Sequence, residues 1–427
     1  MFPDSVLAVL TADNPWLEGG DRNEWIKRHL PSVYIERRAE IKPGERAVLV
    51  IGPRQAGKST LVWHTLSKID RPCLYVNCEE VAIRDWATSP ALFVDGLSGL
   101  LPPESVIFFE EIQSLSEAGL FLKGLVDRKT QYSFIATGSS SYELESKTRE
   151  SLAGRADRCI LLPLSFDELM DMKEDAPGLQ PKRAQKTMGD LIVHGGYPAV
   201  VLGERKESLL TGLVESFVIR DASDRFRIRH TAAFRSLLEL MASQIGNLCN
   251  FSQWAQVASV SSDTVRDYVS ILEDAHVVKL VRPFAGGRRA EITSTPKVYF
   301  VDNGIRNRLF GGFGLTQKRP DSGQLVENYI FTELYKKMNP LLDSIRFWRT
   351  KSGAEVDFVI ERNGVLTGLE VKAGKTYGRV SRSSRSFIQA YAPGHFWVAG
   401  DDEHPGFSIS GTDVCFIRHT DLHRIIS

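Results

Sequence analysis

Three short stretches carry residues at spacings that suit nucleotide chemistry. Gly52-Pro53-Arg54-Gln55-Ala56-Gly57-Lys58-Ser59, followed by Thr60, fits the GxxxxGK[ST] pattern. Glycines let successive backbone N–H groups turn inward around a β-phosphate, and a helix starting at the lysine adds its partial positive charge. Lys58 then reaches the β- and γ-phosphates, and the Ser59 hydroxyl supplies a Mg²⁺ ligand. Val106-Ile107-Phe108-Phe109 runs into the acid pair Glu110-Glu111. That arrangement sets two carboxylates at the C-terminal edge of a buried strand, where ligands bind in open α/β sheets. Glu110 is the candidate for holding the Mg²⁺ hydration shell, and Glu111 for polarising the attacking water. Ser133–Ser140 is a third apolar run ending in hydroxyls, with Thr137, Ser139 and Ser140 as γ-phosphate sensors and Ser139 taken into the candidate nucleotide set. Arg149, Arg155 and Arg158 follow. One of them, with Arg155 the candidate, would act as an arginine finger, in cis or from a neighbouring subunit.

A second constellation lies near the C-terminus: Glu327, Asp357 and Glu370-Val371-Lys372. Residues two apart share a strand face, so Glu370 and Lys372 point the same way. Asp357 and Glu370 stand at nearly equal distances from Asn363-Gly364, a two-residue hairpin signal, and so meet across a strand pair. Such a trio either binds something, with a divalent metal the fitting ligand, or forms a salt-bridged edge. Basic residues surround it. Arg379, Arg382 and Arg385 recur every three residues, Arg346, Arg349 and Lys351 lie on and after a strand, and Arg288 and Arg289 occupy a loop tip. Together they form a candidate track for a phosphate backbone.

The elements that must position these residues read from hydrophobic pattern. Apolar runs at 46–51, 73–77, 106–110, 133–138 and 159–164 alternate with helical stretches. That alternation predicts a parallel sheet with helices on both faces. The polar stretch 174–186 reads as a linker, and 187–248 as mostly helical. Residues 251–303 read as helix, turn, helix with Val265, Tyr268, Val269 and Leu272 at helical spacing, then two strands: a winged-helix pattern. From about 320 the order is helix, three strands, helix, strand.

The 427 residues suggest roughly three domains. The expected division is a lead-in at 1–45, a nucleotide domain at 46–173, a linker and helical region at 174–250, a winged-helix-like domain at 251–319 and a last domain at 320–427. Lys plus Arg and Asp plus Glu are 53 each, giving net charge 0. A wholly basic nucleic-acid coat is excluded, and any polyanion site must be a local patch. With 42% hydrophobic residues and 25% charged, the chain is neither disordered nor fibrous. Five scattered cysteines without a CxxC read as reduced thiols, and no apolar run is long enough for a membrane span. The expectation is a cytoplasmic protein with no membrane association.

GPRQAGKSTL, FFEEIQ, TGSS, SLAGR and LPLSFDEL, with NPWLEG, GGYPAVV, Arg220-Asp221, KVYFVDNG and the EVDF…LEVK pair, resemble the prokaryotic AAA-type ATPases whose C-terminal half was catalogued as a domain of unknown function. That resemblance implies ATP and Mg²⁺ as cofactors; Glu110 stands where the family usually has Asp. The acid…acid-x-Lys arrangement on its helix–three strands–helix–strand order resembles the PD-(D/E)xK nuclease superfamily. It implies that Asp357 and Glu370 bind Mg²⁺, that Glu327 assists and that Lys372 positions the attacking water. The expected protein is therefore an ATPase that binds nucleic acid, DNA above all, through its C-terminal basic residues, with metal-dependent cleavage as a further step. The alternative is an ATP-driven switch that docks a protein partner; a homo-oligomer fits either.

Overall fold

The computed structural model describes residues 2–139, 152–172, 178–215, 228, 230–286, 294–314, 319–339 and 342–425. Ser140, Arg149, Arg220, Asp221, Arg288 and Arg289 lie outside them. The chain divides into two compact units, Met1–Pro163 with Asp274–His276, and Leu164–Glu273 with Val277–Ser427.

The first unit is a parallel sheet of five strands, β1 (Ala47–Gly52), β2 (Cys73–Asn77), β3 (Val106–Glu110), β4 (Ser133–Ser139) and β5 (Ala156–Ile160), in the order β2-β3-β4-β1-β5. Alternation along each strand explains its two-sided burial. Leu49, Ile51, Ile107, Phe109, Phe134 and Ala136 enter one core with Phe93, Leu97, Phe121, Leu122 and Leu125. Val48, Val50, Val106, Phe108 and Ile135 enter the other with Leu61, Val62, Trp63 and Leu66. The first set of helical residues comes from Pro90–Leu100 and α2 (Ala118–Asp127), the second from α1 (Lys58–Lys68). Helices thus cover both faces, the architecture expected for near-continuous apolar strands.

Residues 1–45, expected as a lead-in, do more. Val6 and Leu10, one helical turn apart, join the first core, and Ile26 and Ile41 the second. Asn14 is fully buried and treats β2 as a strand would: its side-chain oxygen accepts from the Tyr75 amide at 2.6 Å, and its Nδ2 donates to the Tyr75 carbonyl at 2.8 Å. Trp16 Nε1 donates to the Cys73 carbonyl at 2.9 Å. The NPW motif therefore closes the exposed edge of β2, an edge that would otherwise offer unpaired backbone groups.

In the second unit, α3 (Phe251–Ala258) and α4 (Ser262–Asp274) precede an antiparallel pair, β6 (Val278–Val281) and β7 (Lys297–Phe300). The next helix, α5 (Ser322–Lys337), leads into β8 (Ser344–Arg349), β9 (Glu355–Arg362) and β10 (Val365–Val371). Then come α6 (Arg382–Tyr391), β11 (His395–Gly400), β12 (Phe407–Ile409) and β13 (Thr412–Arg418). The sheet order is β12-β13-β11-β10-β9-β8. The helix–three strands–helix–strand order is present. Two strands not read from the sequence, β12 and β13, extend the sheet through a second tight hairpin at Ser410-Gly411, both at positive φ. Among the described residues no helix is long and apolar enough to cross a membrane.

Candidate functional site

The phosphate loop leaves β1 at Gly52. There φ is +150°, and a Cβ would stand 2.1 Å from the Leu161 carbonyl oxygen, so no larger residue fits. Gln55 (φ 58°) and Gly57 (φ 94°) turn the loop back into α1. Gly57 caps that helix without any side-chain hydrogen bond, which leaves the first-turn amides of α1 without a capping side chain. Lys58 is only 5% exposed, and its ammonium donates to the Gly52 and Pro53 carbonyls at 3.2 and 3.0 Å. Uncapped amides plus a buried ammonium suit an anionic phosphate. Arg37, not singled out in the sequence, clamps the loop by donating to the Ala56 carbonyl at 2.9 Å and the Leu162 carbonyl at 2.6 Å.

Strand order brings the acid pair alongside. β4 alone separates β1 from β3, so the loop and Glu110 lie two strand spacings apart, about 10 Å, at one sheet edge. Tyr75 donates its hydroxyl to the Glu110 carboxylate. Burial, then the Glu110 charge, pushes the Tyr75 hydroxyl far above its ordinary range, so it stays a donor. That bond orients the Glu110 carboxylate. Glu111 sits at φ 51°, a strained value for a non-glycine residue, and its amide donates to the Thr137 hydroxyl at 3.3 Å. Gln113 Nε2 donates to the Glu111 carboxylate. Of the candidate sensors, Thr137 is fully buried and committed to Glu111, whereas Ser139 ends β4 in register with Gly52. Ser59 and Thr60 follow Lys58 in the first turn of α1. Arg155 does not join this group. It precedes β5, whose first residue pairs with Ala47 at the start of β1, so it stands at the opposite sheet edge, where its Nε is bound to Asp127. This donor set fits a Mg²⁺-nucleotide: amides and Lys58 for phosphate, Ser59 and Glu110 for the metal.

Residues 44–170 match a family model described as "AAA domain". This part of the chain is an AAA-type P-loop domain, a kind of domain that binds nucleotide. Residues 185–318 and 322–409 match two further models, described as "Domain of unknown function (DUF8612)" and "Domain of unknown function (DUF4143)". The chain is 28% identical over 373 residues to an uncharacterized protein of Mycobacterium tuberculosis, covering 86% of this chain and 79% of that one. It is 24% identical over 341 residues to an uncharacterized protein of Methanocaldococcus jannaschii, covering 76% and 75%. Among solved structures, a Walker-type ATPase of Pyrococcus abyssi resembles 62% of this chain and 90% of its own at 14% identity and a TM-score of 0.39, too slight a likeness to carry argument.

Around the second constellation, beyond the AAA domain, the β9–β10 hairpin has the expected two-residue turn, with Arg362 paired to Val365 and Phe358 to Leu369. One further step of that register sets Asp357 opposite Glu370. Each expected ligand is already engaged. Asp357 accepts from the Val371 amide at 2.7 Å. Glu370 is paired with the Lys372 ammonium at 2.5 Å and takes the Ser384 hydroxyl of α6. Glu327 accepts the Tyr299 hydroxyl at 2.5 Å and faces Lys297 at 3.4 Å. Burial, and then the Glu327 charge, pushes the Asp357 carboxyl up to about 8. Among the described residues, no three of His, Cys, Asp and Glu gather closely enough to hold a metal ion. Lys297, Tyr299 and Glu355, which lie within the KVYFVDNG and EVDF motifs without an assigned role there, complete this cluster.

Of the basic track, Arg349 is spent on Glu355 at 2.8 Å and Arg346 lies 3.6 Å from Glu361. Arg379, Arg382 and Arg385 are exposed. Arg379 precedes α6 rather than sharing its face, because Ser381 caps the helix by accepting from the Ser384 amide.

Proposed function

We propose that this protein is an ATPase whose C-terminal sheet domain binds a nucleic-acid backbone. The hydrolysis reading rests on Glu111, held by its amide and its carboxylate at the sheet edge that carries the phosphate loop. When bound, Mg²⁺ supplies charge neutralisation of the phosphates. The loop amides and Lys58 hold the triphosphate, Ser59 and the Tyr75-oriented Glu110 hold the metal side, and Glu111 accepts a proton from the attacking water.

The binding reading rests on one observation: three exposed arginines, 379, 382 and 385, flank the Ser384–Glu370 bond that ties α6 to β10. A guanidinium group of this kind grips phosphate without reading bases. DNA duplex and single strand, titrated by fluorescence anisotropy across a salt series, test it. Salt-sensitive binding with little sequence preference supports the reading. A stable protein partner together with no nucleic-acid affinity supports the docking switch instead.

A further inference from the structure

The acidic cluster beside β10 already contains a cation. Lys297, on β7, is 2% exposed, and its ammonium lies 2.5 Å from Glu355 Oε1 and 3.4 Å from Glu327 Oε1. A third side is closed by the Phe347 ring, whose centroid is 5.3 Å away. With two carboxylates this close to a side chain this deeply buried, the Lys297 nitrogen is paired as an ammonium. Two neighbours lock the cage. The Tyr299 hydroxyl holds Glu327 at 2.5 Å, and Arg349 holds Glu355 at 2.8 Å.

A hard divalent cation such as Mg²⁺ needs about six oxygen ligands near 2.1 Å, with room for the waters it retains. The Lys297 ammonium occupies Glu327 and Glu355, while Asp357 is engaged by the Val371 amide and Glu370 by Lys372 and the Ser384 hydroxyl. The resemblance to metal-dependent nucleases calls for a divalent ion among Asp357, Glu370 and Glu327, and these residues do not fit one while Lys297 is present. We propose that the Lys297 ammonium is the resident cation of this cluster, so that the intact chain takes no divalent metal there and does not cut phosphodiesters by that route. Buried charges are retained only where they are paired, and Lys297 with its carboxylates is such a set. Retention of nucleic acid by the exposed arginines is a separate matter, which this inference leaves standing or falling on its own.

The test uses the full chain without nucleotide and Mn²⁺ as the probe, followed by electron paramagnetic resonance and calorimetry. The wild type is expected to take up no Mn²⁺ that depends on Asp357. Lys297→Ala is expected to gain one Mn²⁺ per chain, at least 10-fold tighter than any uptake by the wild type, and to lose it again when Glu327→Gln is added. If circular dichroism shows Lys297→Ala unfolded, Lys297→Gln, which keeps the length and a donor, replaces it. Wild-type uptake of Mn²⁺ that disappears in Asp357→Asn overturns the proposal. So does a folded Lys297 variant that takes up none, and so does Mn²⁺-dependent nicking of DNA by the wild type that is lost in Asp357→Asn.

Discussion

The Thr137 hydroxyl, fully buried on β4, accepts the backbone amide of Glu111 at 3.3 Å. The sensor strand thereby fixes the strained backbone on which the proposed water-activating carboxylate stands. Thr137 is a positioning residue, since its hydroxyl is committed to Glu111 and acts through it. Thr137→Val keeps the shape and removes the acceptor. We expect kcat for ATP hydrolysis to fall about 10-fold, the size of one buried hydrogen bond, while the Kd for nucleotide stays unchanged. Glu111→Gln should cost on the order of 10²–10³ in kcat, again with nucleotide retained. Steady-state ATPase assays paired with calorimetric binding check both. A fall in affinity matching the fall in kcat would mean that Thr137 supports the loop as a whole and not Glu111.

Gly52→Ala tests the turn out of β1. The new Cβ would meet the Leu161 carbonyl oxygen at 2.1 Å, and the adjacent backbone bond from the Leu161 amide to the Ile51 carbonyl (2.8 Å) would have to open. Neither atom is a flexible side-chain end. The variant should lose roughly 3 kcal/mol of stability, within the range of strain at a special backbone position. Urea unfolding measures it, and a midpoint equal to that of the wild type would contradict the close approach.

The arginines of the α6 region make a prediction about slope rather than affinity alone. Each phosphate that a variant no longer neutralises reduces the dependence of log K on log salt by about 0.9 for duplex DNA. The variant with Arg379, Arg382 and Arg385 all changed to Ser should therefore flatten the slope by about 3 and weaken binding to every sequence alike. Anisotropy titrations from low to moderate salt read this directly. A weakening confined to one sequence would point to base recognition and against backbone recognition.

What was legible in the sequence, and what was not, follows from the range of the interactions. The phosphate loop, the acid pair after VIFF and the hairpin at Asn363-Gly364 are local signals, and each element appears at its expected position. The strand order that brings Glu110 beside the loop belongs to the sheet and has no local signature. Tyr75, Arg37 and Lys297 act across long stretches of chain. Nothing in their immediate neighbours distinguishes them from an ordinary strand tyrosine, surface arginine or strand-end lysine. Lys297 in particular reads as a polar residue opening a strand, and only the folded chain shows its ammonium sunk among carboxylates. Arg155 illustrates the reverse error of proximity. It follows β4 closely in sequence, yet β5 starts opposite the start of β1, which sets Arg155 at the sheet edge away from the phosphate loop. The NPWLEG motif is a short local match, but its role in closing the β2 edge needs the long-range partner Tyr75.

The last prediction concerns acid stability and turns on Asp321. Arg306, 1% exposed, donates Nε to the Ala242 carbonyl at 2.7 Å and is paired through Nη1 with Asp321. Arg319 Nη2 meets the same carboxylate at 2.8 Å. Burial acts to raise the Asp321 carboxyl, but the hydrogen bonds and charges of Arg319 and Arg306 outweigh it and hold it down at about 2. A carboxyl held below its unfolded value of about 3.9 stabilises the fold above that pH, and this contribution is lost as the pH falls from about 4 to 2. With a discount for solvent screening, its size is about 1 kcal/mol. Asp321→Asn should remove that pH-dependent part altogether. At neutral pH it should also cost roughly 3–5 kcal/mol, because it leaves the buried Arg306 charge uncompensated. Urea unfolding of both chains at steps between pH 7 and pH 2.5 separates the two effects. The gap between wild type and variant is expected to be widest at neutral pH and to narrow only below about pH 4. A gap that stays constant to pH 2.5 would show that Asp321 titrates alike in the folded and unfolded chains, and that the guanidinium pair does not set its pKa.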